Sequence, residues 1–470
     1  MSRALIWLRR DLRLSDHLPL AAALERGEAP VFVYVHAPEE EGEWAPGAAS
    51  LAWLHRSLQA LDADLRARGS RLIVRRGASL DTLLQLARDC GAESVYWQRR
   101  YEPAVITRDT AVKAGLKAAG LRAESFRGAT LFERDEVMTG SGGPYRVFTP
   151  FWRNARPRVE TGAAIDAPAR LPAAPEVESL PVEALKLAPK LGWDAGFWER
   201  FTPGEAGAHD ALEAFIEGAA ASYVSQRDLP DRAGTSRLSP HLHFGEITPA
   251  QVIRRLQREA WPAAAGEQVE GYIRELGWRE FNAHLLFHFP KTANENLSPQ
   301  FEHFAWNAPD EKLAAWQRGR TGIPIVDAGM RELWHTGWMH NRVRMIVASF
   351  LTKNLRLHWL HGARWFWDTL VDADLANNTG GWQWSAGTGA DAAPYFRIFN
   401  PVSQAEKFDA RGSYIRQWVP ELARLPDKAL YAPFEHADLQ RRLAPDYPRP
   451  VVDMKASREA ALSAYKAMRG

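Results

Sequence analysis

Short β-branched runs alternating with longer amphipathic ones govern the chain up to residue 130. Ala4–Leu8, Pro30–His36, Arg71–Arg75 and Ser94–Trp97 read as strands, each too apolar to expose one face to water. Between them, Leu51–Arg68, Asp81–Cys90 and Ala104–Ala119 carry apolar residues at helical spacing. Ser79, followed by Asp81, offers a helix start, and Gly69 and Gly91 stand where C-caps belong. Strands buried on both faces need crossover helices, so residues 1–130 are predicted to form a doubly wound parallel α/β domain. The GxGxxG dinucleotide fingerprint is missing after the first strand. The Gly-rich tract Gly140–Gly143 lacks the strand–turn–helix setting that would give it that meaning.

From Thr161 to Lys190 the chain turns to Ala and Pro, with Pro168, Pro172, Pro175, Pro181 and Pro189. Such a stretch holds neither a long helix nor a central strand, so residues 131–200 read as a connector wrapped over the surface. Beyond Glu205 the pattern is helical. Asp327–Leu357 and Arg364–Ala376 repeat apolar residues at i, i+3, i+4 and i+7, and residues 201–470 are predicted to be a larger all-α domain.

Composition narrows the function classes. Among 470 residues, 46% hydrophobic and 25% charged describe a globular chain rather than a disordered or fibrous one. A net charge of +2 is too balanced for a general polyanion binder, so any nucleic-acid contact has to come from a local basic face. No run reaches the about 18 apolar residues of a membrane span, and MSRALIWLRRDLR does not read as a secretory signal. One cysteine, Cys90, rules out an internal disulfide and CxxC metal sites, and a cytoplasmic location is expected. The abnormal number is 19 Trp against 11 Tyr, with ten of the Trp between Trp278 and Trp384.

Several constellations carry chemistry. Asp372 and Asp374 form a DxD pair, which suits a metal on nucleotide phosphates, a solvated turn, or acceptors for a buried cofactor paired with Arg344. The pair is placed at the end of a helix, which disfavours the metal reading. His284 and His288 lie four apart, but no Glu completes HExxH and their neighbours are apolar. Packing outweighs ligation, and no metal site is expected. Thr235-Ser236-Arg237-Leu238-Ser239-Pro240 supplies hydroxyls and N–H groups for a phosphate, or simply starts a helix. The Trp residues are either core, as expected of Trp365 and Trp367, or walls for planar rings. Arg274, Arg279, Arg331, Arg342 and Arg344, interleaved with Trp278, Trp334 and Trp338, favour the second reading locally.

Taken in order, these blocks resemble the photolyase/cryptochrome flavoproteins over essentially the whole length. The matching runs are Thr235–Pro240, His243-Phe244-Gly245-Glu246, Glu275–Phe281, Gly337–Arg342, Asp372-Ala373-Asp374, Gly381-Trp382-Gln383-Trp384 and Asp391–Arg397. The resemblance implies a U-shaped FAD, active in its reduced form, in the helical domain. Tyr223, Thr235, Ser236, Arg237, Leu238 and Ser239 would contact its phosphates and ribityl chain. Arg279, Trp338 and Arg344 would line its site, with Asp372 and Asp374 along the isoalloxazine, Asn378 facing N5, and Tyr272 where many relatives have Trp. Trp306, Trp359 and Trp382 stand at the positions of the family's electron relay.

The resemblance also separates lesion types. Glu275, Trp278, Asn341, Met345 and Trp384 match the cyclobutane-dimer pocket, whereas (6-4) enzymes place His at the positions of Asn341 and Met345. Plant cryptochromes carry Asp in place of Asn378 and lose the Trp walls. Arg227, Arg342 and Gln404 are expected at the DNA, and a monomer that repairs dimer-containing DNA without a membrane is implied. The alternative is a blue-light receptor without repair activity. A 5,10-methenyltetrahydrofolate antenna is favoured over a deazaflavin, with Trp53 as its stacking candidate. Ala104 and Val105, standing where one folate-binding branch has Asn–Glu, argue against a direct transfer of that branch's contacts.

Overall fold

The computed structural model describes residues 2–128, 130–391 and 396–469. Five strands, β1 (Arg3–Leu8), β2 (Ala29–His36), β3 (Leu72–Arg76), β4 (Ala92–Gln98) and β5 (Arg122–Phe126), form one parallel sheet in the order β3-β2-β1-β4-β5. Ile6 of β1 lies between Phe32 of β2 and Tyr96 of β4. Alternation along β1 feeds two cores: Ala4, Ile6 and Leu8 enter one with Trp53 and Leu58, while Leu5 and Trp7 enter the other with Leu83 and Leu116. Four helices cover the faces: α1 (Leu18–Glu25), α2 (Ala48–Ala67), α3 (Ser79–Cys90) and α4 (Pro103–Ala118). The four predicted strands and three predicted helices are all present, joined by β5 and α1.

The local signals fare differently. Ser79 lies inside α3 rather than capping it, and its N–H donates to Glu40 Oε1 at 2.8 Å. Gly91 closes α3 in the left-handed conformation, and Gly69 follows the C-cap Arg68 of α2 at φ 90°. The Ala/Pro stretch runs along the sheet edge. Ser179 Oγ accepts from Val74 N at 2.9 Å, and Leu180 N donates to Val74 O at 2.9 Å, so β3 does not offer a bare edge.

The rest of the described chain is mostly helical. The periodicity over Asp327–Leu357 is broken twice: Pro324–Thr336 ends at Gly337, Asn341–Ser349 restarts with His340 as its cap, and a π-turn follows at Phe350–Asn354. Likewise Arg364–Ala376 is not one helix. Trp359–Thr369 ends, and Asp372–Asp374 bridges to Leu375–Ala386, whose N-terminus Asp374 caps through Asn377 N at 2.9 Å. The DxD pair therefore links two helices instead of ending one. No helix among the described residues is long and apolar enough to cross a membrane.

The two halves meet through His243–Glu246. Phe244 O accepts from Leu12 N at 3.2 Å, and Gly245 O accepts from Arg13 at 2.9 Å. Gly245 has φ 64°, and a Cβ there would collide with the Arg10 carbonyl. Trp53 seals the seam from α2, donating to Glu246 Oε1 at 3.0 Å.

Candidate functional site

A cavity of about 560 Å³ opens into the helical half, within the about 300–1,000 Å³ usual for cofactor-sized sites. The helix Ala263–His288 builds one wall. Tyr272, Glu275, Leu276 and Arg279 follow i, i+3, i+4 and i+7 and so share a face, with Trp278 and Asn282 beside them. Opposite runs the loop Thr235–Ser239, and Ser236 Oγ accepts from the Tyr272 hydroxyl at 2.9 Å. Burial pushes that phenol up to about 12, so it remains a donor. The helices Asn341–Ser349 and Leu375–Ala386 close the remaining sides with Asn341, Met345, Asn378 and Trp382.

The loop side carries a cation, Arg237, that forms no ion pair among the described residues. Its backbone is held at φ 53°. Burial, with Arg200 nearby, lowers its pKa against the opposing pull of Glu332. Its guanidinium lies 5.8 Å from the Trp338 ring, and the Trp338 indole donates to Ser239 Oγ at 3.3 Å. Tyr223, Thr235 and Leu238 line the same side. An unpaired cation among hydroxyls suits a diphosphate.

Across the cavity Arg344 donates to Asp372 Oδ2 at 2.8 Å and to Met339 O at 2.7 Å, leaving Asp372 Oδ1 buried without a partner. Asp374 Oδ1 holds the Asn377 side chain at 2.7 Å, and Asn378 Nδ2 donates to Ala363 O at 2.9 Å. Arg279 donates to Leu242 O at 3.3 Å. An orphan carboxylate oxygen, a fixed amide and aromatic walls fit the ring systems of FAD, as the loop fits its phosphates.

At the mouth stand Glu275, Trp278, Asn341, Met345 and Trp384. The Arg227 guanidinium, 5.2 Å from the Tyr223 ring, forms an ion pair with Glu275. Trp278 stacks on Phe148 at 3.8 Å and 9°, which fixes its plane. Asn341 and Met345 lie one turn apart on their helix. Two predicted DNA residues are outside the cavity: Arg342 pairs with Asp228 at 2.6 Å and sits over Phe408 at 4.3 Å, and Gln404 lies one turn before Phe408.

The three relay candidates differ in burial and in neighbours. Trp382 is buried against the cavity, packed so closely on Gly362 that a Cβ there would strike its ring. Trp359, on the same helix as Gly362, is buried and donates to Asn296 Oδ1 at 2.9 Å. Trp306 is half-buried, 5.3 Å from the His358 ring, which is 5.5 Å from Trp359.

Other expectations move. Trp53 is fully buried among Trp198, Phe201, His241 and Phe244, so it is core and offers no face to an antenna. His284 accepts from Tyr145 N at 3.1 Å and His288 donates to Arg134 O at 3.2 Å, the packed state preferred above. Of the block Asp391–Arg397, residues 392–395 lie outside the described residues. Sequence reasoning missed Asn282, which donates to Asn377 at 2.9 Å, and gave His243 no role although it lines the cavity. Neither carries a local signal, because each gains meaning only from a distant neighbour.

Comparison with known proteins agrees with this geometry. Residues 4–175 match the DNA photolyase family model, and residues 272–467 match the FAD binding domain of DNA photolyase. A deoxyribodipyrimidine photo-lyase of Agrobacterium fabrum is 46% identical, covering 99% of this chain and 98% of that protein. Cryptochrome-1 of Arabidopsis thaliana is 37% identical over 98% of this chain and 70% of its own length. The crystal structure of a bacterial class III photolyase from Agrobacterium tumefaciens superposes with a TM-score of 0.94 at 46% identity, covering 100% and 98% of the two chains. Sheet order, helical cavity and these matches lead to one assignment: the chain belongs to the photolyase/cryptochrome family.

Proposed function

We propose that this protein repairs cyclobutane pyrimidine dimers in DNA by light-driven electron transfer. The observation that carries the reading is the set Glu275, Trp278, Asn341, Met345 and Trp384 at the mouth of a cavity that fits FAD. What FAD supplies when bound and reduced is a blue-light chromophore and one electron, returned once the cyclobutane ring has opened. Arg237 and the Thr235–Ser239 hydroxyls would hold the diphosphate, while Arg344, Asp372, Asp374 and Asn378 orient the rings. Arg227, Arg342 and Gln404 would meet backbone phosphates, giving salt-dependent affinity. A cross-linked pyrimidine pair stacks poorly and flips out at less cost than normal bases. Trp278 and Trp384 would then wall its apolar face, and Glu275 and Asn341 would hydrogen-bond its edges. Trp306, Trp359 and Trp382 would pass electrons inward to restore the reduced cofactor. Every residue invoked lies in one chain, so a monomer suffices, and a buried free Cys90 suits a reducing cytoplasm.

The deciding experiment is light-dependent reversal of a thymine dimer in a defined oligonucleotide by the reduced, flavin-loaded protein. Dimers should revert only under blue light, and (6-4) products should persist. Glu275→Ala should lower the yield with flavin content unchanged. A flavin-loaded protein that reverts no dimers is a receptor, the reading kept in view by the likeness to Cryptochrome-1.

A 5,10-methenyltetrahydrofolate antenna is part of this proposal, in a different place from Trp53. The crevice at the strand ends is largely filled by Arg9, Arg10, Arg100 and Arg108 with their acidic partners, and only about 40 Å³ is left. Trp334, 59% exposed, lies parallel to Trp365 at 6.1 Å and 9°, an open indole platform for a pterin ring. Trp334→Ala should strip folate fluorescence from the purified protein and leave FAD in place. Retained folate would move the antenna elsewhere.

A further inference from the structure

His243 occupies an unusual position. It is 6% exposed, both its ring nitrogens are buried without a partner, and it lines three cavities at once. One is the large cavity of the helical half. Another is the filled crevice at the strand ends. The last, about 80 Å³, lies between the two halves of the molecule and shares Arg279, Asp374 and Asn377 with the large one. Its outer wall is made by the half-buried Arg99, Tyr101 and Thr130. Gln98 lines it too, 4% exposed, with Nε2 and Oε1 both unpartnered. In the large cavity Asp372 Oδ1 is unpartnered as well.

Buried polar atoms that find no protein partner are normally satisfied by ordered water. A space of about 80 Å³ is well above the roughly 10–15 Å³ that one water needs. Gln98 and His243 thus leave unsatisfied groups in the interdomain cavity, and His243 and Asp372 leave them in the large one.

We propose that His243 and the interdomain cavity form a water-filled proton path that serves the cofactor cavity. This rests on FAD as the occupant of that cavity. Converting oxidised FAD to its reduced anion takes two electrons and one proton. With an external thiol as reductant, two thiols become one disulfide, two electrons enter singly through the indoles, and of the two protons released one is matched by uptake at the flavin. A neutral imidazole offers one donor and one acceptor, so it can pass a proton without holding a charge. Burial, together with Arg10 and Arg100, keeps His243 well below its usual pKa and therefore neutral. Electrons and protons then use different residues lining the same cavity, Trp382 and His243.

The test follows both in one experiment. Flavin-loaded protein is photoreduced with a thiol in weak buffer, flavin absorbance reporting electrons and an indicator dye reporting protons, the uptake at the flavin being read as the offset of one proton against the two that the thiols release. His243→Phe should leave the first electron transfer unchanged and slow proton uptake by about tenfold or more, the scale expected when a positioned proton carrier is lost. His243→Gln, which keeps a donor and an acceptor, should restore most of the rate. Should His243→Phe fail to fold, Gln98→Leu carries the same expectation at the outer end. Separately, ¹⁵N spectra of wild-type protein should show a neutral His243 whose ring N–H exchanges with solvent. Equal proton uptake in wild type and His243→Phe, or a ring N–H shielded from solvent, overturns the path. Absence of flavin absorbance would instead remove FAD as the occupant, a distinct failure.

Discussion

The α/β half and the helical half treat their charged groups in opposite ways. At the C-terminal ends of the strands, where a doubly wound sheet usually binds ligands, Arg10 and Arg100 pair with Glu41 and Glu102, while Arg9 and Arg108 pair with Asp109. The network satisfies itself and fills the crevice. In the helical half Arg237 forms no ion pair among the described residues, Asp372 keeps a free oxygen, and a cavity remains. A fold-level rule thus points to the wrong end of this molecule, and the balance of hydrogen-bond partners points to the right one. Saturated charges hold structure; unsaturated ones await a ligand.

The largest expected effect breaks the saturated side. Glu102→Ala removes an acceptor from both Arg10 and Arg100 and should cost about 3–5 kcal/mol in urea unfolding, the usual penalty for stranding a buried charge. Flavin content in the folded fraction should not change. Acid probes the same network with a definite sign. Burial would raise Glu41, but Arg100 and Arg10 overcome it and hold it at about 2, below its usual 4.5. Its contribution is therefore complete above pH 4.5 and is lost as pH falls toward 2. A loss under about 1 kcal/mol for Glu102→Ala, typical of solvated pairs, would mean the network is wet and the contrast false.

Next comes the mouth of the cavity. Trp278→Ala should weaken binding to dimer-containing DNA by about 1–3 kcal/mol, the value of one base–aromatic stack. Affinity for undamaged DNA, carried by phosphate contacts, should hardly move. Equal losses on both would place Trp278 in the scaffold with its stacking partner Phe148, and the helical half would be less of a ligand surface than its geometry indicates.

How much of this was legible in the sequence follows the same divide. β1 to β4 announce themselves because both faces are buried and every residue type agrees. β5, with the sequence Arg-Ala-Glu-Ser-Phe at the sheet edge, has no such agreement and was missed. The helical breaks at Gly337 and after Thr369 were hidden because apolar spacing continues through them while the backbone does not. Asp372 with Arg344 was foreseeable as a charge pair, and the geometry bears it out. His243 was not, since its two empty nitrogens exist only where two domains meet. Trp53 erred the other way, a ring read as a platform that the fold uses as a plug.

The smallest effect is the most discriminating, because its two readouts should move in opposite directions. Arg237 holds a left-handed backbone, a conformation that Asn tolerates better than Arg, and its half-buried guanidinium forms no ion pair among the described residues, with Glu332 acting on it only through space. Both features disfavour the flavin-free protein. Arg237→Asn should therefore stabilise the protein stripped of flavin by about 0.5–1 kcal/mol, measured by denaturant unfolding. The same change removes the cation placed beside the Thr235–Ser239 hydroxyls. FAD should bind about tenfold more weakly, a loss of about 1.4 kcal/mol, with rebinding of FAD as the measurement. If the variant were less stable without flavin and bound FAD as tightly as wild type, Arg237 would be a structural residue. The open half would then be as self-satisfied as the closed one, and a diphosphate would need another cation in this cavity.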